Sequence, residues 1–585
     1  MRFDFLGRVS RLAAIGAILL GSASCVNIDE TLGESLIPTD QKWDVFTPEA
    51  VDLTDIRLQL SDSLSGYSST RFTFGAINDE KLGTCMKSSS FTLVPVWDSL
   101  DFGRNTKVKQ FHFSAVRDTL STVYDKDQLI LQNVYVSELK KPLDSTVIYM
   151  GSFADPKVLE EFVDLSNRIT VGTPVYAGGD SLSFDFSLEF AERFVEKLKK
   201  ADMDSVNAYI NDIPGIYFYT DSPAGPGGRI NMFELEIQTN SYHYLTGNYA
   251  ELKFTAEYDH SDEPVDTSFT FLFGPSNFIK IDDKGNVTYP TQVAFNTGNH
   301  ESSQIYGGNG VPATDKIYVE GGSGVKPVVK AEGIKRILDE MLADARVSDP
   351  SQVVINKATI MMPYDVEGDY DLLEKYPDVL SPTVRLRSTE GNYISYAGLT
   401  DSSIESENQG NINRSTFMYA PDISHHVQEI LKLDRNDADY KKKIEKYDIW
   451  FLIMFEEVIS EGTDNSANSM MNNLLYNSYY NNMMYDPYGY GYGYGGYGGY
   501  GGYGGYGYGG YGGYGGYGGY GYGYGSNYYN YMLMAQYASM NSGNNTKVST
   551  ELDRDRFYNA VLNGPESDGA RPQLKVTFSV PKSAE

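Results

Sequence analysis

From Val51 onward the chain alternates apolar and polar residues in short runs, and this period of two constrains the fold more than any other feature. Arg71-Phe72-Thr73-Phe74, Lys107-Val108-Lys109-Gln110-Phe111-His112-Phe113, Ser183-Phe184-Asp185-Phe186 and Leu252-Lys253-Phe254-Thr255 each read as a strand with one face buried and one wet. Helical spacing is confined to a few stripes, Ala191, Phe194, Val195 and Leu198 in one, Ile334, Ile337, Leu338, Met341 and Leu342 in another. Strands that do not alternate with helices argue against a parallel βαβ sheet. They predict a mainly β fold of two tandem jelly-roll-like β-sandwiches crossed by a few helices.

An internal repeat supports two units. In the first half a strand at Leu182–Phe186 leads to a helix near Glu189–Lys199, an aromatic strand Gly215–Tyr219 and a closing strand Glu251–Thr255. In the second half a strand at Thr416–Tyr419 leads to a helix near Asp422–Leu431, then Asp448–Leu452 and finally Gln573–Thr577. Both closing strands carry Leu-Lys-apolar-Thr. The expected units are a first sandwich at 51–262 and a second at 263–585.

The repeat isolates an unusual segment. Tyr488 to Gly525 contains only Tyr and Gly, and its flanks are rich in Asn, Tyr and Met. Between Asn465 and Thr546 the only charge is Asp486. Glycine at this density is entropically costly to fix, so residues 462–547 are expected to be a disordered, low-complexity insertion within the second sandwich. Its tyrosines could engage glycans or other chains through many weak stacking contacts; a tolerated expansion of a surface loop explains it as well.

The N-terminus speaks to location. Arg2, Arg8 and Arg11 precede the apolar run Leu12–Leu20, and Gly21-Ser22-Ala23-Ser24 leads into Cys25. A basic start, a short apolar core and small residues make a signal peptide, here residues 1–24. A cysteine directly after them is what lipoprotein processing requires, so Cys25 is the expected lipidation site, carrying diacylglycerol and palmitate-like chains that anchor firmly. Residues 25–50, with Gly33, Pro38 and Pro48 and no sustained period, read as a lipidated tether.

The chain of 585 residues carries 48 basic and 78 acidic side chains, a net charge of −30. That charge argues against nucleic acid as a partner, because such binding depends on neutralising phosphates. Cys85 is the only other cysteine, so no intramolecular disulfide is expected in the mature chain, and with no histidine near it in sequence Cys85 reads as a buried structural residue.

Candidate chemistry is sparse. Gly179-Asp180-Ser181-Leu182 and Asp422-Ile423-Ser424-His425 spell the two signatures of the Gly-Asp-Ser-Leu hydrolases, offering a nucleophile, an orienting carboxylate and a base. The context differs: Ser181 opens an alternating strand, the Gly-x-Asn-Asp block is absent, and Asp422 reads as the N-cap of the helix that follows. His425 and His426 are adjacent and diverge on a helix. Asp434-Arg435-Asn436-Asp437-Ala438-Asp439 with Glu445 echoes a calcium loop but lacks the Gly at its sixth position, and reads as a charged linker. The methionine pairs Met470-Met471 and Met483-Met484 read as compositional bias rather than soft-metal ligands. Neither a catalytic residue nor a cofactor or metal is expected.

The Cys25 region with Leu32-Gly33-Glu34-Ser35-Leu36-Ile37-Pro38, then Phe74-Gly75-Ala76-Ile77-Asn78-Asp79 and Leu82-Gly83-Thr84, resembles the start of the Bacteroidota lipoproteins grouped as domain-of-unknown-function family 4270. Val354-Ile355-Asn356-Lys357-Ala358 and Arg571-Pro572-Gln573-Leu574-Lys575-Val576 resemble that family's later strands. The resemblance implies an outer-membrane lipoprotein, with no catalytic residue to carry over. In such envelopes acidic residues after the lipidated cysteine direct display on the cell surface, a role that Asp29 and Glu30 would fill. The expected function is non-enzymatic: a surface-facing outer-membrane lipoprotein that binds or scaffolds, its membrane contact made through the lipid and its partners a glycan or an envelope protein. The alternatives are an accessory subunit of an envelope protein machine and a surface hydrolase using Ser181.

Overall fold

The alternating runs form antiparallel strands. In Tyr249–Glu257, Ala250, Leu252, Phe254 and Ala256 are buried while Lys253 is exposed. The structure, a computed structural model, describes residues 42–460 and 546–582 apart from short segments, the longest at 365–375. The chain is mainly β, 48% strand against 17% helix, in several antiparallel sheets with no barrel.

Two cores organise these sheets. The first draws its side chains from residues 72 to 294 and is built largely of phenylalanine. A nine-stranded sheet containing Arg71–Asp79, Gly83–Phe91, Ile216–Tyr219 and Gly227–Glu234 supplies Phe72, Phe74, Phe91 and Phe218. A five-stranded sheet, in which Arg104–Val116 lies between Ser181–Asp185 and Tyr249–Glu257, supplies Phe111, Phe113, Phe184 and Phe254. Phe113 of one sheet meets Phe218 of the other with ring centroids 5.2 Å apart. The helix Leu188–Leu198 closes this core. Ser187 Oγ accepts from Phe190 N at 3.2 Å as its N-cap, and the expected stripe is buried, with Phe194 5.2 Å from Phe111.

The second core joins Leu53, Ile56 and Leu58 to residues 313–578. Two further sheets meet there. One orders Ile56–Leu60, Val325–Val329, Ile449–Ser460, Val379–Arg387 and Tyr393–Gly398; the other orders Trp43–Phe46, Gln573–Pro581, Val354–Pro363, Met418–Tyr419 and Ile412–Asn413. The helix Ala331–Asp344 buries Ile334, Ile337, Leu338, Met341 and Leu342, the second expected stripe.

The strand partners correct the expected layout. Ile56–Leu60 pairs with Val325–Val329, Leu60 opposite Val325 and Ile56 opposite Val329, so the phenylalanine-rich body lies wholly between two neighbouring strands of the other. The bodies are nested, not tandem: an inserted body within a host body. The expected boundary at 262/263 falls inside a hairpin in which Ala256 faces Val265. The expected tether also ends sooner, because Trp43–Phe46 is already a strand on Pro581–Phe578. Insertion is sterically simple here because Val311 returns opposite Leu58 on the same strand.

The repeat reappears as matching strand order. In the inserted body Ser181–Asp185 pairs with Arg104–Val116, which pairs with Tyr249–Glu257. In the host body Met418–Tyr419 pairs with Val354–Pro363, which pairs with Gln573–Pro581. Across the core, Ile216–Tyr219 lies between Tyr135–Leu139 and Gly83–Phe91, and Ile449–Ser460 lies between Val379–Arg387 and Val325–Val329. Among the described residues, two helices lie between Ser181–Asp185 or Met418–Tyr419 and that central strand in each copy, Leu188–Leu198 and Val206–Asp212 in one, Ser424–Leu431 and Tyr440–Glu445 in the other. Ser460 faces Thr546 in the ladder between Ile449–Ser460 and Thr546–Leu552, so the two ends of the Tyr/Gly-bearing segment are neighbours. The second of these strands takes in the last two residues of the expected 462–547 range.

Candidate functional site

Cys25, Asp29, Glu30, the Tyr/Gly tract and the methionine pairs lie outside the described residues. Among the described residues no helix is long and apolar enough to cross a membrane.

The hydrolase signatures are not brought together. Ser181 is exposed at the start of its strand, paired with Val116 in the inserted body. Asp422 bridges to Thr359 in the host body. No hydrogen bond links Ser181 to Asp422 or His425 among the described residues. Asp422 is also not the N-cap: Ile423 holds that position, and Asp422 Oδ1 accepts from Ser424 N at 2.9 Å just before it. The helix end is capped from elsewhere. Buried Asp401 takes His425 N–H at 2.6 Å and His426 N–H at 3.1 Å. Burial raises the Asp401 carboxyl above its usual range, and the two N–H groups oppose that shift. His426 is buried and its Nε2 donates to Tyr447 O at 2.8 Å, and burial lowers it from 6.5 to about 3, which favours a neutral core residue.

The calcium-like loop uses its carboxylates locally. Asp434 Oδ1 accepts from Asn436 N and Asp437 Oδ1 from Asp439 N, while Asp437 pairs with Lys443. Arg435 reaches Glu332 and Asp339 on the long helix. Among the described residues no group of three or more His, Cys, Asp or Glu side chains could hold a metal ion.

The most concentrated polar chemistry belongs to none of these motifs. It lies where the two bodies meet. Cys85 and Lys87 come from Gly83–Phe91 of the inserted body, and His300 faces Cys85 across the ladder with Ala294–Glu301. Glu320 and Lys326 come from Lys316–Glu320 and Val325–Val329 of the host, and Asp553 follows its Thr546–Leu552 strand. Lys87, Glu320, Lys326 and Asp553 are all buried. His300 Nε2 is 3.9 Å from Cys85 Sγ, and its Nδ1 is 3.6 Å from Glu320 Oε2. Glu320 Oε2 also accepts from Val325 N at 3.0 Å, and Lys326 Nζ donates to the Glu320 and Gly324 carbonyls. Gly321 makes room for this carboxylate, since a Cβ would lie 1.8 Å from Asp553 Oδ2 and Asp553 would have to shift.

Electrostatics decide what this cluster can do. Burial pushes the Cys85 thiol up to about 12. Burial, then the Lys87 and Lys326 charges, hold His300 well below its ordinary value. Burial also pulls Lys326 down against Glu320 and Asp553. A thiolate–imidazolium pair, the form that makes a cysteine nucleophilic, is disfavoured on both sides. The structure thus gives Cys85 a histidine neighbour that sequence distance had hidden, yet leaves its buried structural character unchanged. The cluster is a polar clamp between host and insert. Its trace in the sequence is a pair of lone charges, Glu320 and Lys326, inside the glycine-rich apolar run Val319–Val329.

No protein-family model matches the chain, and no curated protein and no solved structure is significantly similar to it.

Proposed function

We propose that this chain is a lipid-anchored outer-membrane protein facing the cell exterior, whose role is to bind or scaffold rather than to catalyse. The observation that carries the reading is Cys25, set directly after an apolar run and four small residues, with the first described strand beginning at Trp43. The buried, protonated state of Cys85 supports it, because Cys25 is then the one cysteine suited to acylation. The separation of Ser181 from Asp422 and His425 speaks for a binding role over hydrolysis. Kinship with family 4270 is part of the proposal and rests on the short motifs quoted above.

Each body is read as a jelly-roll-like β-sandwich, supported by the two sheets that share each core. Residues 461–545 are read as an insertion in one hairpin of the host body, supported by the pairing of Ser460 with Thr546. Its repeated tyrosines offer many weak stacking contacts to a glycan or an envelope protein.

External protease on intact cells tests the exposure, and the proposal expects the protein to be removed. Full protection would place it on the periplasmic side and discard the role given to Asp29 and Glu30. Recovery of the lipidated protein from solubilised membranes then separates the roles. Retention on glycan is expected for a binder, and a stable stoichiometric complex with a membrane protein would favour the accessory subunit.

A further inference from the structure

The sheet that receives the N-terminal strand has one face in the core and one face open. Leu574, Val576 and Phe578 point inward with Ile355, Ala358 and Ile360 beside them. The alternate positions face outward. There Val45 and Val354 stand on either side of Ser579, itself buried and donating to Asn356 Oδ1 at 2.6 Å, and Trp43 stands opposite Pro581. Trp43 is 49% exposed, Val45 65% and Val354 45%, three of the nine large apolar side chains left this open among the described residues. One step along the same face, Lys357 lies opposite Thr577 and Lys575 opposite Thr359. Both lysines are exposed, and no described carboxylate lies within ion-pair distance of either.

On a chain with a net charge of −30, an aromatic and aliphatic strip beside unneutralised lysines is an exception. Its chemistry is that of a membrane interface. Trp places an apolar ring and a polar N–H at headgroup depth. Val45 and Val354 supply apolar area beside it, and lysines carry their stems along apolar surface while the ammonium meets anionic headgroups. Its place in the chain adds to this. Trp43 opens the first described strand after Cys25, and a fully extended chain from one to the other reaches at most about 60 Å.

We propose that this outer face, Trp43, Val45 and Val354 with Lys357 and Lys575, lies against the anionic surface of the bilayer that holds the anchor, and so orients the host body on the membrane. The proposal rests on lipidation of Cys25 and adds to it a second point of contact, as stable attachment commonly uses.

The test uses the full lipidated chain in phosphatidylethanolamine–phosphatidylglycerol vesicles containing phospholipids brominated near the headgroup. A Trp97→Phe background removes the other exposed tryptophan, and Trp450 is buried. Mass spectrometry of the same sample reads the lipid on Cys25. The expected result is loss of most Trp43 emission. That quenching disappears on adding Trp43→Phe and weakens in Lys357→Gln/Lys575→Gln, a variant that leaves the core untouched. A lipidated, vesicle-bound chain whose Trp43 is not quenched overturns the orientation and leaves the anchor standing. Shielding of Trp43 only when other envelope proteins are present overturns the orientation as well. A chain with no lipid on Cys25 overturns both.

Discussion

Leu60 and Val325 stand opposite each other in one antiparallel ladder, and the whole phenylalanine-rich body lies in the chain between them. A host sheet is therefore interrupted by a second, similarly wound unit. Both ends of the described chain belong to the host, where Phe46 stacks on Phe578 at 5.4 Å and Lys582 N donates to Lys42 O at 2.8 Å.

Nesting predicts how the chain can be cut. Replacing residues 62–309 by a short turn should leave a host body that melts cooperatively, since Val311 already pairs with Leu58 just before the excised segment. Dividing the chain at 262/263 should give two insoluble pieces, because it opens the hairpin of Ala256 and Val265 and strips Leu58 from the host core. Two soluble, cooperatively melting halves from that division would refute the nesting.

The C-terminal strand carries a second prediction. Gln573–Pro581 pairs with Trp43–Phe46, Val51–Asp52 and Val354–Pro363 at once. Truncation after Ser460 should therefore aggregate, exposing strand edges and apolar core. Replacing residues 462–545 by a short Gly/Ser loop should leave a folded protein with an equal or slightly higher Tm, because loop closure changes by only about 0.6 kcal/mol per doubling of length. A truncated chain that melts like the full one would contradict the role of the last strand.

Much of the local structure is legible in the sequence, and little of the long-range pairing is. Alternation at Leu252–Thr255 and the stripe Ala191–Leu198 encode burial directly, so strands and helices form at those places. The repeat is legible because Leu-Lys-apolar-Thr closes both halves. Alternation does not name a partner, however, so nothing in Ile56–Leu60 points to Val325–Val329. The polar clamp is hidden for the same reason: Cys85, His300 and Glu320 are remote in sequence and meet only through pairing. Asp422 reads as a cap because it stands next to the helix, whereas Asp401 performs that role from a separate segment.

That cap gives a third prediction. Asp401→Ala should destabilise the protein by about 1–3 kcal/mol, since a buried carboxylate accepting two backbone N–H groups is lost. Asp422→Ala should cost about 0.5–2 kcal/mol, the range for a lost bond at a helix start, and less than Asp401→Ala in the same urea-unfolding measurement. The reverse order would show that Asp422 is the principal cap.

His426 sets a pH dependence. Burial, assisted by the His425 charge and opposed by Glu429, lowers it from 6.5 to about 3. Between those values the unfolded chain binds a proton that the folded chain refuses. The stability His426 supports is thus present above about pH 6.5 and is lost as pH falls toward 3, by up to roughly 5 kcal/mol. His426→Gln keeps a donor for Tyr447 O and removes the titration. Its unfolding free energy should fall less steeply between pH 6.5 and 4 than that of the parent, and equal slopes would count against a buried neutral His426.

The anchor is tested most directly by metabolic labelling with radioactive palmitate, comparing the parent with Cys25→Ala and Cys85→Ala. The account predicts that the parent and Cys85→Ala take up label and fractionate with the outer membrane, whereas Cys25→Ala takes up none and leaves the membrane fraction. An unlabelled parent, or a Cys25→Ala protein that stays with the outer membrane unchanged, would contradict it.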